Sequence, residues 1–453
     1  MEINTAIVAG TGKSGISATK LLVNHGVKVY LFDENKDRDI EAIKEKTGDS
    51  ELVQIELGEL GEDALSSSQL MVISPGIPVD APFTDVVRNA GIPIWSEIEL
   101  AYHYGKGKIA AITGTNGKTT TTALVGEIVK AHNAKTIVVG NIGIPYTELC
   151  DTTDDDSDTV AEISSFQLET VIDFHPNVSA ILNLTPDHLN RHYTFENYGN
   201  VKFSITKNQT MDDVTVLNYD DEHTRAMGEK AKDHCHVVYF SRLEKPAGGV
   251  YVKDGDIILE DGDKKINVLA IKDLKLMGAH NVENVLAAVG ISYYMGVPVD
   301  VIRDVATSFK AVAHRIEYVD TIDGVAYYND SKGTNPDAAI KGIQAMVAPT
   351  FLIGGGYDKG SEYDEWIEAF DGKVKWLVLI GQTAQKIADC AKRHGFNSII
   401  FEENLQDAVA YCHENAVDGD AVLLSPACAS WGQFDNYEQR GDMFKEYVRS
   451  YKE

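Results

Sequence analysis

Short apolar runs alternate with polar, glycine-rich turns and with helix-period stretches along almost the whole chain. Residues 3–9 (Ile-Asn-Thr-Ala-Ile-Val-Ala) read as a buried strand; a helical pattern through Leu21, Leu22 and Val23 follows, and a second apolar run covers 27–32. A third run covers 70–73. Farther on, Ile109-Ala110-Ala111-Ile112 is of strand type, and Ala123, Leu124, Val125, Ile128 and Val129 repeat at helical spacing. Strands are predicted over 136–139, 159–161 and 178–184 and a helix over 194–208. Residues 214–272 read as short strands and turns with a hairpin at Asp254-Gly255, and helical patterns open at Gly278 and over 299–309. In the last part, runs at 326–328, 351–353, 376–380, 398–401 and 421–424 alternate with helices. Such alternation predicts α/β architecture with mainly parallel sheets. Composition shifts near Trp95-Ser96-Glu97 and again near residue 311. Three domains are therefore expected: a Rossmann-like one over 1–96, a central P-loop ATPase domain with a mostly parallel sheet over 97–310, and a second Rossmann-like one over 311–453.

The stretch Thr113-Gly114-Thr115-Asn116-Gly117-Lys118-Thr119-Thr120 sits between the run at 109–112 and the helix after it. Strand, glycine turn and helix in that order make a phosphate cradle. Glycines let successive N–H groups converge on phosphate oxygens, and the helix N-terminus adds positive potential. Lys118 would lie between β- and γ-phosphates, with the Thr119 hydroxyl free to ligate Mg²⁺. Ile112 stands where the full pattern has its first glycine.

Gly10-Thr11-Gly12-Lys13-Ser14-Gly15, with Asp33 closing the second strand, is a dinucleotide-type fingerprint, although any diphosphate can use that helix N-terminus. Ser74-Pro75-Gly76-Ile77-Pro78 is a rigid loop at the carboxyl edge of the same sheet, a ligand position or a plain turn. Glu162, ending an apolar strand after the P-loop, suits a Mg²⁺ or water-orienting role. His188 is a metal ligand or a packing histidine. Lys202 is a surface cation or, with a depressed pKa, an amine able to form a carbamate that ligates Mg²⁺; sequence alone does not decide. Asn281, at the start of its helix, reads first as a cap. In the last domain, polar loops follow three strands: Asn329–Asn335, Gly354–Gly360 and Ser425–Ser430.

Charge and cysteine content narrow the setting. Lys and Arg total 41 against 69 Asp and Glu, a net charge of −28 that disfavours nucleic acid and anionic membranes as partners. The acidic tract Asp151–Asp158 lacks the glycine and terminal glutamate of a calcium loop and reads as solvated. Five scattered cysteines without a CxxC pair fit buried thiols in a reducing compartment. With no secretory h-region and no apolar run of spanning length, a cytoplasmic enzyme is expected.

Taken together, Thr113–Thr120, Glu162-Ile163-Ser164-Ser165-Phe166-Gln167-Leu168, His280-Asn281-Val282-Glu283-Asn284, His314-Arg315-Ile316-Glu317 and Asp330-Ser331-Lys332-Gly333-Thr334-Asn335 resemble the motifs of the Mur ligases, which build the peptide stem of peptidoglycan. The family's P-loop also lacks the first glycine. The short first domain, the Ser74–Ile77 loop and the closing Leu424–Ser430 and Asp435–Gly441 segments are similar to those of the member that adds D-glutamate to UDP-N-acetylmuramoyl-L-alanine. Thr334-Asn335-Pro336-Asp337 stands where diaminopimelate-adding members carry Asp-Asn-Pro-Arg. The resemblance implies an ATP-dependent ligase working through an acyl phosphate. It implies two Mg²⁺ ions, small-molecule substrates (ATP, the nucleotide sugar and D-glutamate) and a monomer.

By position, it assigns Gly114, Thr115, Asn116, Gly117, Lys118, Thr119 and Thr120 to the ATP phosphates. His280, Asn281 and Asn284 go to the adenine, and Arg315, Asp330 and Lys332 to ATP from the last domain. Thr119 and Glu162 hold the first Mg²⁺, His188 and a carbamylated Lys202 the second. Lys13, Ser14, Asp33, Ser74, Pro75 and Gly76 fall to UDP, Asn141 and Gln167 to the muramoyl-alanine arm, and Thr334, Lys359, Ser430 and Tyr437 to D-glutamate. The rivals are another Mur-type or folylpolyglutamate-type amino-acid ligase, a nicotinamide-dependent dehydrogenase built on Gly10 to Asp33, and a non-catalytic nucleotide sensor.

Overall fold

A computed structural model describes residues 3–141, 143–276, 278–310, 313–358 and 360–452. The chain forms two compact units, one of residues 1–273 and 283–307, the other of 274–282 and 308–453. Two sheets lie in the first and one in the second, giving a three-domain α/β architecture.

The first sheet contains Thr5–Ala9 (β1), Lys28–Asp33 (β2), Val53–Leu57 (β3), Leu70–Ile73 (β4) and Ile94–Ser96 (β5). All pairs are parallel, in the order β3-β2-β1-β4-β5. The order reverses at β1, so the turns after β1 and β4 open a crevice where ligands of such sheets bind. The run at 70–73 is thus the fourth strand, not the third. Val-Gln-Ile-Glu-Leu of β3 alternates polar and apolar on a half-covered edge and carries no continuous apolar signal.

The second sheet contains Lys108–Thr113 (β6), Ile137–Gly140 (β7), Asp158–Glu162 (β8), Val178–Ile181 (β9), Val214–Asn218 (β10), His236–Ser241 (β11), Gly249–Lys253 (β12), Asp256–Asp261 (β13) and Lys264–Ala270 (β14). Its order is β14-β13-β12-β11-β10-β9-β6-β8-β7, parallel from β7 to β12 and antiparallel beyond. Asp254 (φ 51°) and Gly255 (φ 84°) make the expected hairpin, both in the left-handed region that a two-residue turn of matching twist requires. The region also holds a helix, Glu222–Ala231, that the pattern of short strands conceals; Asp221 caps it, accepting from the N–H groups of His223 and Thr224.

The two sheets of the first unit share one apolar cluster, in which Ala6, Leu22, Ile98, Leu100, Tyr146 and Ile163 are all almost fully buried. The joint is pinned by Glu97, a buried carboxylate that accepts from the N–H (2.6 Å) and hydroxyl (2.8 Å) of Thr147.

The third sheet contains Glu317–Ile322 (β15), Val325–Asn329 (β16), Thr350–Gly354 (β17), Val374–Leu379 (β18), Ile399–Phe401 (β19) and Ala421–Leu424 (β20). Its order is β15-β16-β20-β17-β18-β19, with only β15 antiparallel. Alternate residues feed opposite faces: Leu352 and Leu377 pack with Trp366 and Ile387, whereas Phe351 and Ile353 pack with Val409 and Phe444. All five cysteines are buried free thiols.

Candidate active site

The glycine turn after β6 has the backbone its sequence demands. Gly114 (φ 146°) and Gly117 (φ 84°) occupy conformations that L side chains avoid, and a Cβ on Gly117 would lie 2.3 Å from Asn284 Oδ1. The turn is tied to the strand beside it: Asn116 N–H donates to Asn183 Oδ1 (2.8 Å) and Thr115 N–H to Asn183 O (3.0 Å). The helix Lys118–His132 starts directly from Gly117, placing Lys118, Thr119 and Thr120 in its first turn. Lys118 Nζ folds over the turn and donates to the carbonyls of Gly114 (2.9 Å) and Thr115 (2.8 Å). Asn284 reaches the same helix, accepting from the Thr121 hydroxyl at 3.4 Å.

Glu162, Lys202 and His188 gather around this turn. Glu162 ends β8, is buried, and accepts from Asn141 Nδ2 at 3.1 Å. Lys202 is only 1% exposed; its Nζ donates to Gly114 O (2.9 Å) and lies 4.7 Å from the Tyr198 ring centre. Burial, then the charge of Lys118, hold the Lys202 amine well below the usual lysine range, against the opposing pull of Asp187 and Glu162. The result is a buried amine whose charged form is disfavoured. His188 is held at φ 52° beside Phe166, ring centres 4.8 Å apart. Burial lowers its pKa; Lys118, Lys202 and Arg191 act in the same direction and Asp187 against them. A neutral imidazole, a carboxylate and an amine that can become an anionic carbamate are a donor set suited to Mg²⁺, whose preference is for oxygen with some retained water.

A cavity of about 450 Å³ opens at the crevice of the first sheet. Lys13, Ser14, Asp33, Ser74, Pro75, Gly76, Asn141 and Gln167 all line it. Asp33 accepts from both the N–H (3.1 Å) and hydroxyl (2.6 Å) of Thr11 and faces Arg38 at 3.3 Å. Burial alone would raise its pKa; the Thr11 and Asn35 hydrogen bonds and Arg38 outweigh it, so the carboxyl stays ionised and fixes the glycine turn. Gly10 lies so close to Ser74 that a Cβ there would meet its Oγ at 2.7 Å. That Oγ is buried without a hydrogen-bond partner among the described residues, as a group awaiting a ligand would be. Lys13 Nζ bonds the Gly143 carbonyl. Gln167 closes a capping box with Ser164 and contacts Glu97 (3.5 Å), so its amide is already oriented.

In the second unit, Asp330 follows β16 and is buried, accepting from the Ser425 hydroxyl at 2.7 Å. Burial pushes its carboxyl up to about 6, with Arg315 and Arg440 opposing. Arg315 Nε is buried without a hydrogen-bond partner among the described residues. His280 belongs to this unit; burial, then Lys341 and Arg315, depress it to about 4. Asn281 lies in the first turn of the helix Ala279–Tyr294, not at its cap. Lys332 Nζ lies 5.6 Å from the Tyr437 ring centre, and Thr334 N–H donates to Lys332 O. Ser430 is buried in the loop after β20, beside the Tyr357–Ala429 bridge that leaves no room for a Cβ on Gly356. Lys359 lies outside the described residues.

Three family descriptions match the chain: "Mur ligase MurD-like, N-terminal domain" over 4–96, "Mur ligase middle domain" over 112–292 and "Mur ligase, glutamate ligase domain" over 314–428. The chain belongs to the Mur ligase family. A UDP-N-acetylmuramoylalanine–D-glutamate ligase of Lachnospira eligens is 56% identical over 451 residues, 99% of each chain. Proteins of the same name from Lachnoclostridium phytofermentans (51%, 99% of this chain and 98% of the relative) and Clostridioides difficile (46%, 98% of each) are also similar. Among solved structures, UDP-N-acetylmuramate-alanine ligase from Thermotoga maritima (TM-score 0.61, 18% identity, 99% of this chain and 100% of that one) shares the fold. MurF from Acinetobacter baumannii does too (TM-score 0.62, 16% identity, 97% and 93%).

Two arginines of this Mur ligase escape sequence reading. Arg191 carries its guanidinium to Glu169 (2.5 Å), to Ile77 O (2.8 Å) and to Pro75 O (3.3 Å), so the segment bearing His188 grips the Ser74–Ile77 loop. Arg440, fully buried, donates to Ser331 Oγ (2.9 Å), Ser331 O (2.8 Å) and Cys428 O (3.2 Å), joining two strand-end loops of the second unit. Arg440 stands inside the Asp435–Gly441 segment, but nothing in residue spacing says where either long side chain turns.

Proposed function

We propose that this chain joins D-glutamate to UDP-N-acetylmuramoyl-L-alanine with cleavage of ATP to ADP and phosphate, a step in making peptidoglycan precursors. The observation that carries the reading is the full-length similarity, 46–56% identity, to relatives whose names state that substrate pair. The cavity at the first sheet supports a nucleotide diphosphate there, and the turn at 113–120 supports ATP phosphates. Residues 1–96 bind UDP, 97–310 bind ATP, and 311–453 carry groups for the amino acid and part of ATP. No described helix is long and apolar enough to cross a membrane; we assign the enzyme to the cytoplasm, acting as a monomer.

In the reaction, the alanyl carboxylate attacks the γ-phosphorus, and the acyl phosphate formed is attacked by the amine of D-glutamate, releasing phosphate. Both partners of the first step are anions, so charge must be neutralised where they meet. Lys118 leaves its two loop carbonyls and pairs with the β- and γ-phosphates, while the N–H groups of Gly114 to Thr120 cradle them. Two Mg²⁺ ions, held by Thr119 and Glu162 and by His188 and carbamylated Lys202, would add charge neutralisation at the transferring phosphoryl group. The amine of Lys202 is suited to carbamylation because burial and the charge of Lys118 favour its uncharged form. Asn141 and Gln167 orient the muramoyl-alanine arm. Arg315, Asp330 and Lys332 serve ATP; Thr334, Lys359, Ser430 and Tyr437 serve D-glutamate.

Phosphate release from ATP and Mg²⁺ with UDP-N-acetylmuramoyl-L-alanine, adding D-glutamate, L-glutamate, L-lysine or diaminopimelate in turn, tests this. Release that requires both the nucleotide sugar and D-glutamate is expected. Release with another amino acid alone moves the specificity, and none with any of them refutes the reading.

A further inference from the structure

Far along the chain from the phosphate turn, two helices of the second unit bring a second donor cluster together. The helix Asp364–Glu368 packs near the helix Ala384–Arg393, which His394 closes. Cys390 and His394 are four residues apart, so they share one face. Ligand atoms of Asp364, Cys390 and His394 lie within 4.8 Å of one another. His394 Nε2 is 2.9 Å from Asp364 Oδ1, and its Nδ1 points the other way, 3.7 Å from Glu368 Oε1. Cys390 is buried at the base of the cluster, whereas His394 and Asp364 remain open to solvent (26% and 44%).

We propose that Asp364, Cys390 and His394 form a binding site for a zinc-class divalent transition metal, with Glu368 as the outer partner that orients the imidazole. Thiolate, imidazole and carboxylate together select a borderline-soft ion; Mg²⁺ avoids thiolate, so this site takes a different metal from the one that serves ATP. Three protein ligands leave a fourth tetrahedral position to water. Nitrogen and oxygen ligands of one zinc lie roughly 3.3 Å apart, given bonds of about 2.0–2.1 Å, so the present Asp364–His394 contact has to open only slightly. Glu368, 3.7 Å from the distal nitrogen, would close by several tenths of an ångström to make the carboxylate–histidine pairing that fixes the tautomer of metal-bound histidines.

The surrounding charges do not block entry. Arg393 touches Asp364 at 3.4 Å, is 61% exposed, and can swing away. Lys386 faces Asp358 and Glu362, each at 3.9 Å. Burial, and then Asp364, keep the Cys390 thiol protonated. Binding therefore forms a metal–sulfur bond and releases the thiol proton to water. Bound metal would cross-link the two helices around Trp366, whose ring packs against Gly354 at the head of the glycine-rich loop.

Co²⁺ titration of the whole protein in excess Mg²⁺ tests the site, because a thiolate–cobalt bond gives an intense near-ultraviolet charge-transfer band that oxygen ligands do not. One equivalent is expected to produce the band and tetrahedral visible absorption. Cys390→Ser should abolish the band. His394→Ala, at an exposed position that spares the core, should weaken binding by at least about 10-fold, and Glu368→Gln by roughly 10-fold. Absence of the band in the unmodified protein overturns the site, as does a band that survives Cys390→Ser. Unchanged affinity in Glu368→Gln removes Glu368 from it.

Discussion

Two buried ionisable groups carry the chemistry that single residues can reveal. Lys202 donates to the Gly114 carbonyl and lies over the Tyr198 ring. Burial there disfavours the charged form of the amine. Lys202→Ala is expected to lower ligation by about two to three orders of magnitude, with partial rescue by added formate or acetate; full activity in the variant would contradict the carbamate role. Asp330 reports through stability. Its carboxyl rises from 3.8 to about 6 on folding, so between about pH 4 and pH 6 the native state holds a proton that the unfolded chain has released. The associated stabilisation is complete below pH 4 and lost as pH rises through 6. The Asp330→Asn variant stays neutral throughout. The stability of the unmodified protein relative to that variant should therefore fall by about 3 kcal/mol across this window in denaturant titrations. A flat difference would show that Asp330 is ionised throughout.

At the level of elements, the motifs declared themselves because glycine spacing and strand–helix alternation are written locally. The turn at Gly114–Gly117 is legible for that reason, and its geometry explains its sequence. Gly117→Ala must adopt a left-handed φ and push aside Asn284. It is expected to cost about 1–2 kcal/mol of stability and to abolish the rise in melting temperature that ATP produces. An unchanged nucleotide shift would refute the cradle. What the sequence hides is contact between elements distant in the chain. Arg191 links the His188 segment to the loop after β4, over a hundred residues earlier, through two carbonyls and Glu169. Arg191→Met should raise KM for the nucleotide sugar by about 10-fold or more and change kcat less, since charged hydrogen bonds of this kind are worth about 1.5–3 kcal/mol. A loss confined to kcat would place Arg191 in the chemistry instead. Edge strand β3 was invisible for a related reason: its alternating sequence encodes one covered face, not the continuous apolar run of a central strand; β15 buries only Val319 and Ile322, three residues apart, with its register shifting between Tyr318 and Asp320, and carries neither signal.

For the whole molecule, the α/β class and the three sheets follow from the alternation of runs and helices, whereas the two compact units do not. The joint between the first two sheets depends on Glu97, Tyr146 and the helix Lys13–Asn24, none of which announces a partner in sequence. A net charge of −28 makes the positive potential of the phosphate turn a local device, built from N–H groups and Lys118. The proposed reaction turns on one chemical event, transfer of the γ-phosphoryl group to the alanyl carboxylate. The most direct measurement supplies UDP-N-acetylmuramoyl-L-alanine labelled with heavy oxygen in that carboxylate, together with ATP, Mg²⁺ and D-glutamate, and follows the label by mass spectrometry. Acyl phosphate formation puts one heavy oxygen in the released inorganic phosphate and leaves the other in the new amide. Unlabelled phosphate, or label appearing in AMP, would contradict it.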